Sequence, residues 1–333
     1  MNVETLIYAY LAICTAMILF NCACIFVFRR RDRLLRQRSA RLTEEIAGEI
    51  RLLQSGAPIS EEHLIFLRKR LRKIGDLMAF DETLEELLGR EPDAVWVYID
   101  AIRPVFTWLA AENYYRGSMQ MAYFAYVLGK YRILKGKTVP LLTELLMKLL
   151  EESSLYCREN ALQAIYSTGD DQLVLRALRQ VDESGRFHHA KLLTDGLLTF
   201  SGDRQRLVRV LWDSFDAFSV RMQTVILDYI RFGGGGMADE LLLLLADEGR
   251  DDELRFSCIR YFGKYPDPGA YPLLLSFLEH PEKRRWEYAA ISAASLSSYP
   301  GERTVLALKR AMSNASWYIR FNAARSLEPF QLT

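Results

Sequence analysis

The chain has 333 residues, 43 Lys and Arg against 42 Asp and Glu, a formal net charge of +1, and half of its residues apolar. That length supports one elongated domain or two small ones. Much of the basic excess sits beside a single N-terminal apolar run, so the rest is near neutral, which argues against nucleic acid as a partner.

Residues 6–28, LIYAYLAICTAMILFNCACIFVF, form that run: 23 residues with no charge. A bilayer core needs about 20 apolar residues as helix. Seven arginines follow between Arg29 and Arg41, whereas the other flank, MNVE, carries one acid. Positive residues stay cytoplasmic, so the expected topology is single-pass, with the N-terminus outside and the body in the cytoplasm. A cleaved signal would have a basic n-region and a shorter apolar stretch. Of the five cysteines, Cys14, Cys22 and Cys24 lie in the run, and Cys157 and Cys258 stand alone in the body. This is no disulfide framework and fits a reducing compartment. Cys22 and Cys24 are candidates for acylation, with small apolar filler the favoured reading.

Residues 39–80 read as two helices. One continues out of the membrane to Gln54, and SGAPIS breaks the chain at 55–60. Ser60 then caps a second helix, with Glu61 and Glu62 in its favourable first turn. This helix carries Arg68, Lys69, Arg70, Arg72 and Lys73, and Leu64, Leu67, Leu71 and Ile74 should pack inward. Together with Arg29, Arg30, Arg31, Arg33 and Arg36, these bases are candidates for binding anionic lipid headgroups. The alternative is a solvated helix face. Residues 81–116 read as a degenerate helix pair, and Trp108, Tyr114, Tyr115, Tyr123, Phe124 and Tyr126 cluster around it, mostly as core.

From Ser118 onward the pattern repeats. Segments starting at Arg158, Lys191, Arg221, Arg255, Glu287 and Arg320 step by 33, 30, 34, 32 and 33 residues. Three places after each start comes a small residue: Ala161, Thr194, Thr224, Cys258, Ala290 and Ala323, with Ala122 in the unit before. A turn such as Gly169-Asp170, Gly202-Asp203 or Pro300-Gly301 follows, and then a leucine-rich helix. Short side chains let helices approach, and a Gly-Asp turn ends one helix and caps the next. A single pair cannot bury its apolar face, so neighbours must stack. The expected class is all-α: an α-solenoid of stacked helix pairs after one N-terminal transmembrane helix. Its parts are an anchor at 1–28, basic juxtamembrane helices at 29–80 and the solenoid at 81–333.

The pattern R-x-x-A-x-x-A, then Gly-Asp, then a leucine helix resembles HEAT-repeat proteins, particularly the short bacterial type, over about 118–330. Lys191 and Glu287 depart from it by replacing the usual Arg. The resemblance implies a scaffold that binds a protein partner. Arg158, Arg221, Arg255 and Arg320 then carry two readings: a ladder tying repeats together through neighbouring acids, or a row offered to an acidic partner.

No catalytic signature is present: no G-x-S-x-G, P-loop or H-E-x-x-H. Gly233–Gly236 reads as an inter-helix turn. His188 and His189, taken as neighbours on a helix, would point apart and not share a metal. No enzyme activity and no cofactor are therefore expected. The expected function is a tethered scaffold for a membrane-associated partner, for example a polysaccharide synthase or a sensory complex. The alternative is a HEAT-like enzyme of the lyase or DNA glycosylase type. The abrupt end after ARSLEPFQLT suggests an apolar edge open to a partner or to self-association.

Overall fold

The computed structural model describes residues 3–112, 117–137, 139–281 and 285–331. Among them the chain is all-helical, with no strand. It divides into two compact units, 1–134 with 138–160, and 135–137 with 161–333.

The first unit is built on α1, Val3–Gln54, a 52-residue helix. At about 1.5 Å per residue it spans roughly 78 Å. Its N-terminal part is long and apolar enough to cross a membrane, and none of that stretch is buried. No break separates it from the part that packs. Leu42, Ile46 and Ile50 recur every four residues, one helix face, and all are buried. That face lies against α3, Ile74–Arg90. The remaining helices are α2, Glu61–Arg70; α4, Pro92–Ala101; α5, Arg103–Ala111; α6, Ser118–Lys130; α7, Pro140–Leu149; and the start of α8, Leu155–Tyr166. A 42° bend separates α4 from α5. Pro104 stands in the first turn of α5, where a missing N–H is tolerated.

One expected helix is two. The segment after Ser60 stops at Arg70, and α3 begins only at Ile74. Leu64, Leu67 and Leu71 are buried as expected, whereas Ile74 is half-buried. Ser60 does cap α2, its hydroxyl accepting from the His63 N–H at 3.2 Å. The unit also holds a buried polar knot. The Asp81 carboxylate accepts from Tyr123 at 2.7 Å, Tyr131 at 2.6 Å and Lys130 at 2.7 Å.

The second unit continues with α9, Asp171–Glu183; α10, Ala190–Leu197; α11, Arg204–Asp213; α12, Val220–Gly233; and α13, Ala238–Ala246. Then come α14, Asp252–Lys264; α15, Tyr271–Glu279; α16, Trp286–Ser295; α17, Glu302–Ala311; and α18, Trp317–Gln331. Every second helix packs on the next: α10 on α12, α12 on α14, α14 on α16, α16 on α18. The intervening helices pack on these, α13 on α14, α15 on α16 and α17 on α18.

Small residues sit at the close approaches. Ala161, Thr194, Cys258, Ala290 and Ala323 are buried, while Thr224 is half-buried and bonds its own helix at Val220 O. The two Gly-Asp turns lie against one another. Ser201 donates its N–H to Tyr166 O and its hydroxyl to Ser167 O, and Asp170 and Asp203 cap α9 and α11.

Candidate functional site

Two surfaces and one cavity concentrate exposed chemistry. The first surface is the basic end of the first unit. Ser60 N–H donates to Glu49 Oε1 at 2.6 Å, which fixes the start of α2 beside α1. From there α2 returns toward the start of the packed part of α1. The Arg38 guanidinium lies over Gly75, with its Nε 3.6 Å from Asp76 Oδ1. The chain thus touches α1 at Glu49 as α2 begins and again at Arg38 as α3 begins.

Lys73 thus stands two residues before the Gly75 that Arg38 covers, with Arg68, Lys69, Arg70 and Arg72 on the turn leading to it. Arg29, Arg30, Arg33 and Arg36 are exposed along α1, as are Lys69, Arg72 and Lys73. Arg31 lies on the same helix. Arg68 pairs with Glu61 at 3.5 Å, Arg70 lies over the Phe66 ring and Arg72 over Trp108, 5.1 Å from its centroid. Tyr114 and Tyr115 lie outside the described residues. Phe124 is core, Tyr123 binds Asp81 and Tyr126 is exposed.

The four repeat arginines bond backbone carbonyls. Arg158 Nη1 donates to Glu152 O and Ser153 O, both at 2.8 Å; Arg320 Nη1 donates to Asn314 O at 2.8 Å and Ala315 O at 2.7 Å. Arg255 Nε donates to Leu245 O at 3.0 Å, and Arg221 reaches His188 O at 3.4 Å. Arg158, Arg255 and Arg320 thus tie their helices to the segment just before, whereas Arg221 of α12 reaches back to the segment before α10. Arg158 and Arg255 are buried; Arg221 and Arg320 are half-buried.

Sequence reasoning missed a partner of this bond. Asn160 Nδ2 donates to Ala122 O at 3.0 Å, and Asn322 Nδ2 to Ala290 O at 2.8 Å. In both cases R-x-N-A binds the carbonyl of the small residue one repeat back. The shared Asn was the available signal.

The second surface was also missed. Trp286 at the start of α16 stacks on Tyr318 of α18, with centroids 5.0 Å apart and planes at 21°. Trp317 stacks on Phe321 at 5.0 Å and 18°, and meets Tyr318 edge-on. All four are exposed, between 44% and 56%. Beside them, Arg285 bridges Asp252 and Glu287. The Tyr288 hydroxyl, 2.5 Å away, and then Arg285 hold the Asp252 carboxyl below its usual range. The clue was an aromatic one or two places before the repeat start, Trp286 before Glu287 and Tyr318 before Arg320.

A cavity of about 490 Å³ opens between α11, the end of α12 and the start of α13, with Arg204, Arg209, Trp212, Tyr229 and Glu240 in its wall. Gly233–Gly236 form the expected turn there, three of them at positive φ. Burial pushes the Tyr229 hydroxyl up to about 12. His188 and His189 are not on a helix: they precede α10, where the His189 ring accepts from the Lys191 N–H and caps it. Among the described residues no group of His, Cys, Asp and Glu is arranged to hold a metal ion.

No protein-family model matches the chain, and no curated protein matches it either.

Proposed function

We propose that the protein is a membrane-tethered helical-repeat scaffold, of the stacked-pair HEAT type, that holds a protein partner at the cytoplasmic face of a membrane. The exposed row of Trp286, Tyr318, Trp317 and Phe321 carries this reading. Aromatic residues dominate interface hot spots, and a contiguous exposed aromatic patch marks an interaction surface. The recurrence of the Arg and Asn bonds at 158/160 and 320/322 supports the repeat architecture. The unbroken course of α1 from its apolar stretch into the core of the first unit supports the tether. Tethering raises the effective concentration of the binding surface toward membrane-associated partners, of which a polysaccharide synthase or a sensory complex is an example.

The test is affinity purification of the tagged full-length protein from detergent, beside a Trp317→Ala/Tyr318→Ala variant. A stoichiometric partner recovered with the wild type and lost with the variant is the expected result. Repeated recovery of no partner, or equal recovery with both, rejects the reading. A second copy of the chain recovered through this surface would make the partner a self-association.

A further inference from the structure

We infer that the basic end of the first unit is a binding surface for anionic phospholipid headgroups, built jointly by the 29–41 arginines of α1 and the 68–73 bases at the end of α2. The inference rests on the tether reading and adds a lipid specificity to it.

Distance decides the matter. In sequence the second cluster lies forty residues beyond the apolar run, which leaves it between a headgroup-binding surface and a solvated face. Folding brings Gly75 and Asp76, two and three residues after Lys73, to Arg38, ten residues past Phe28. Ten helical residues rise about 15 Å. Headgroup layers occupy roughly 5–7 Å on each side of the hydrocarbon. The second cluster thus stands about 8–10 Å above the headgroups, near one Debye length at physiological ionic strength. Helix tilt and the length of lysine and arginine side chains shorten the gap further.

The charge survives local compensation. Asp76 is buried and taken by Arg38, and Glu61 pairs with Arg68. Asp32 and Glu82 stand near Arg36. Asp81 and Glu85 also face Glu82 but share Lys130, and against these six acids are the seven arginines of 29–41 and the five bases of 68–73. The α1 helix has no hinge between its apolar stretch and Leu42, so the surface is held toward the membrane and not left to find it. Each base near an anionic leaflet strengthens attraction about fivefold.

The test uses the full-length protein in nanodiscs of mixed phosphatidylcholine and phosphatidylglycerol. Lipids that remain with the protein after mild detergent extraction are counted by native mass spectrometry. The wild type is expected to enrich phosphatidylglycerol, and added salt should erase the enrichment. Lys69→Gln/Arg72→Gln/Lys73→Gln should lose at least fivefold of it, while Arg72→Lys, which keeps the charge, should retain it. Absence of enrichment in the wild type, or unchanged enrichment in the triple variant, overturns the inference. Flotation of the same samples separates the two readings. Protein that fails to float with discs of any composition rejects the tether, whereas protein that floats without lipid preference rejects only this surface.

Discussion

Gly202 stands directly against Gly169: a Cβ built on Gly202 would lie 2.5 Å from the Gly169 carbonyl oxygen and 2.6 Å from the Phe200 ring. The neighbour is backbone, so the strain cannot be relieved by turning a side chain. Gly202→Ala should therefore destabilise the second unit by about 1–3 kcal/mol, the usual cost of overpacking. Gly89 is the contrast. It is helical and exposed, with nothing within 4 Å of its virtual Cβ. Gly89→Ala should stabilise by up to about 1 kcal/mol through helix propensity alone. Denaturant midpoints of the two variants should move in opposite directions.

The R-x-N-A bonds make a second prediction. Asn160→Ala and Asn322→Ala each leave a main-chain carbonyl, Ala122 O or Ala290 O, without its side-chain donor. A lost bond of this kind costs about 1–2 kcal/mol. Both variants should shift unfolding by similar amounts, and Asn322→Gln should not rescue, because its longer arm overshoots a carbonyl 2.8 Å from the native donor. A large effect at one site and none at the other would show that the two positions are not equivalent.

The all-helical class and several of its turns were legible because they are written in local, periodic sequence. Leu-rich helices, Gly-Asp turns and a small residue every thirty-odd positions are local signals, and Asp170 and Asp203 cap helices where the turns predict. The break at 71–73 was not legible, since RLRKIG carries neither a proline nor a turn dipeptide and Leu71 continues the apolar stripe. Tertiary packing ends the helix there, with Leu71 wholly buried and Arg38 over Gly75. The candidate surfaces were legible only in part. The basic residues were visible, but their convergence depends on the return of α2, a long-range relation. The arginine ladder was visible as spacing, yet its acceptors are carbonyls, which sequence does not display. The aromatic row escaped because Trp and Tyr at helical spacing ordinarily belong to a core.

The acid limb of stability should be shaped by His63. Its ring is buried and shares a 2.8 Å hydrogen bond with Tyr98. Burial lowers its pKa below the ordinary 6.5, against the opposing pull of Glu49 and Glu45. A histidine depressed in the folded state is neutral there while the unfolded chain still takes up a proton. Stability from this group is thus fully present above about pH 6.5 and falls as pH drops below it. Denaturant midpoints of the full-length protein measured from pH 8 to about pH 5 should decline over that window, and His63→Gln, which bonds but does not titrate, should flatten the decline. An equal slope in both proteins would assign the acid sensitivity elsewhere.

The last prediction concerns how α1 joins the body. Leu42, Ile46 and Ile50 are each no more than 3% exposed, and Arg38, Ser39 and Thr43 add polar contacts to Asp76 and Thr83. This face holds the apolar stretch and the first unit as one piece. Ile46→Ala should cost about 2–5 kcal/mol, because the flanking helices cannot collapse into the space left behind. Ile46→Asp should cost more, since it buries a charge without a partner. The two changes differ from an equivalent change in the exposed stretch: Ile18→Ala should leave unfolding of the packed helices unmoved, as Ile18 lies in the unburied apolar stretch and is 63% exposed. Hydrogen exchange of α3 in the full-length protein distinguishes the cases. Faster exchange in α3 for Ile46→Ala and unchanged exchange for Ile18→Ala is expected. Unchanged α3 exchange in Ile46→Ala would mean that α1 merely lies alongside the body without supporting it.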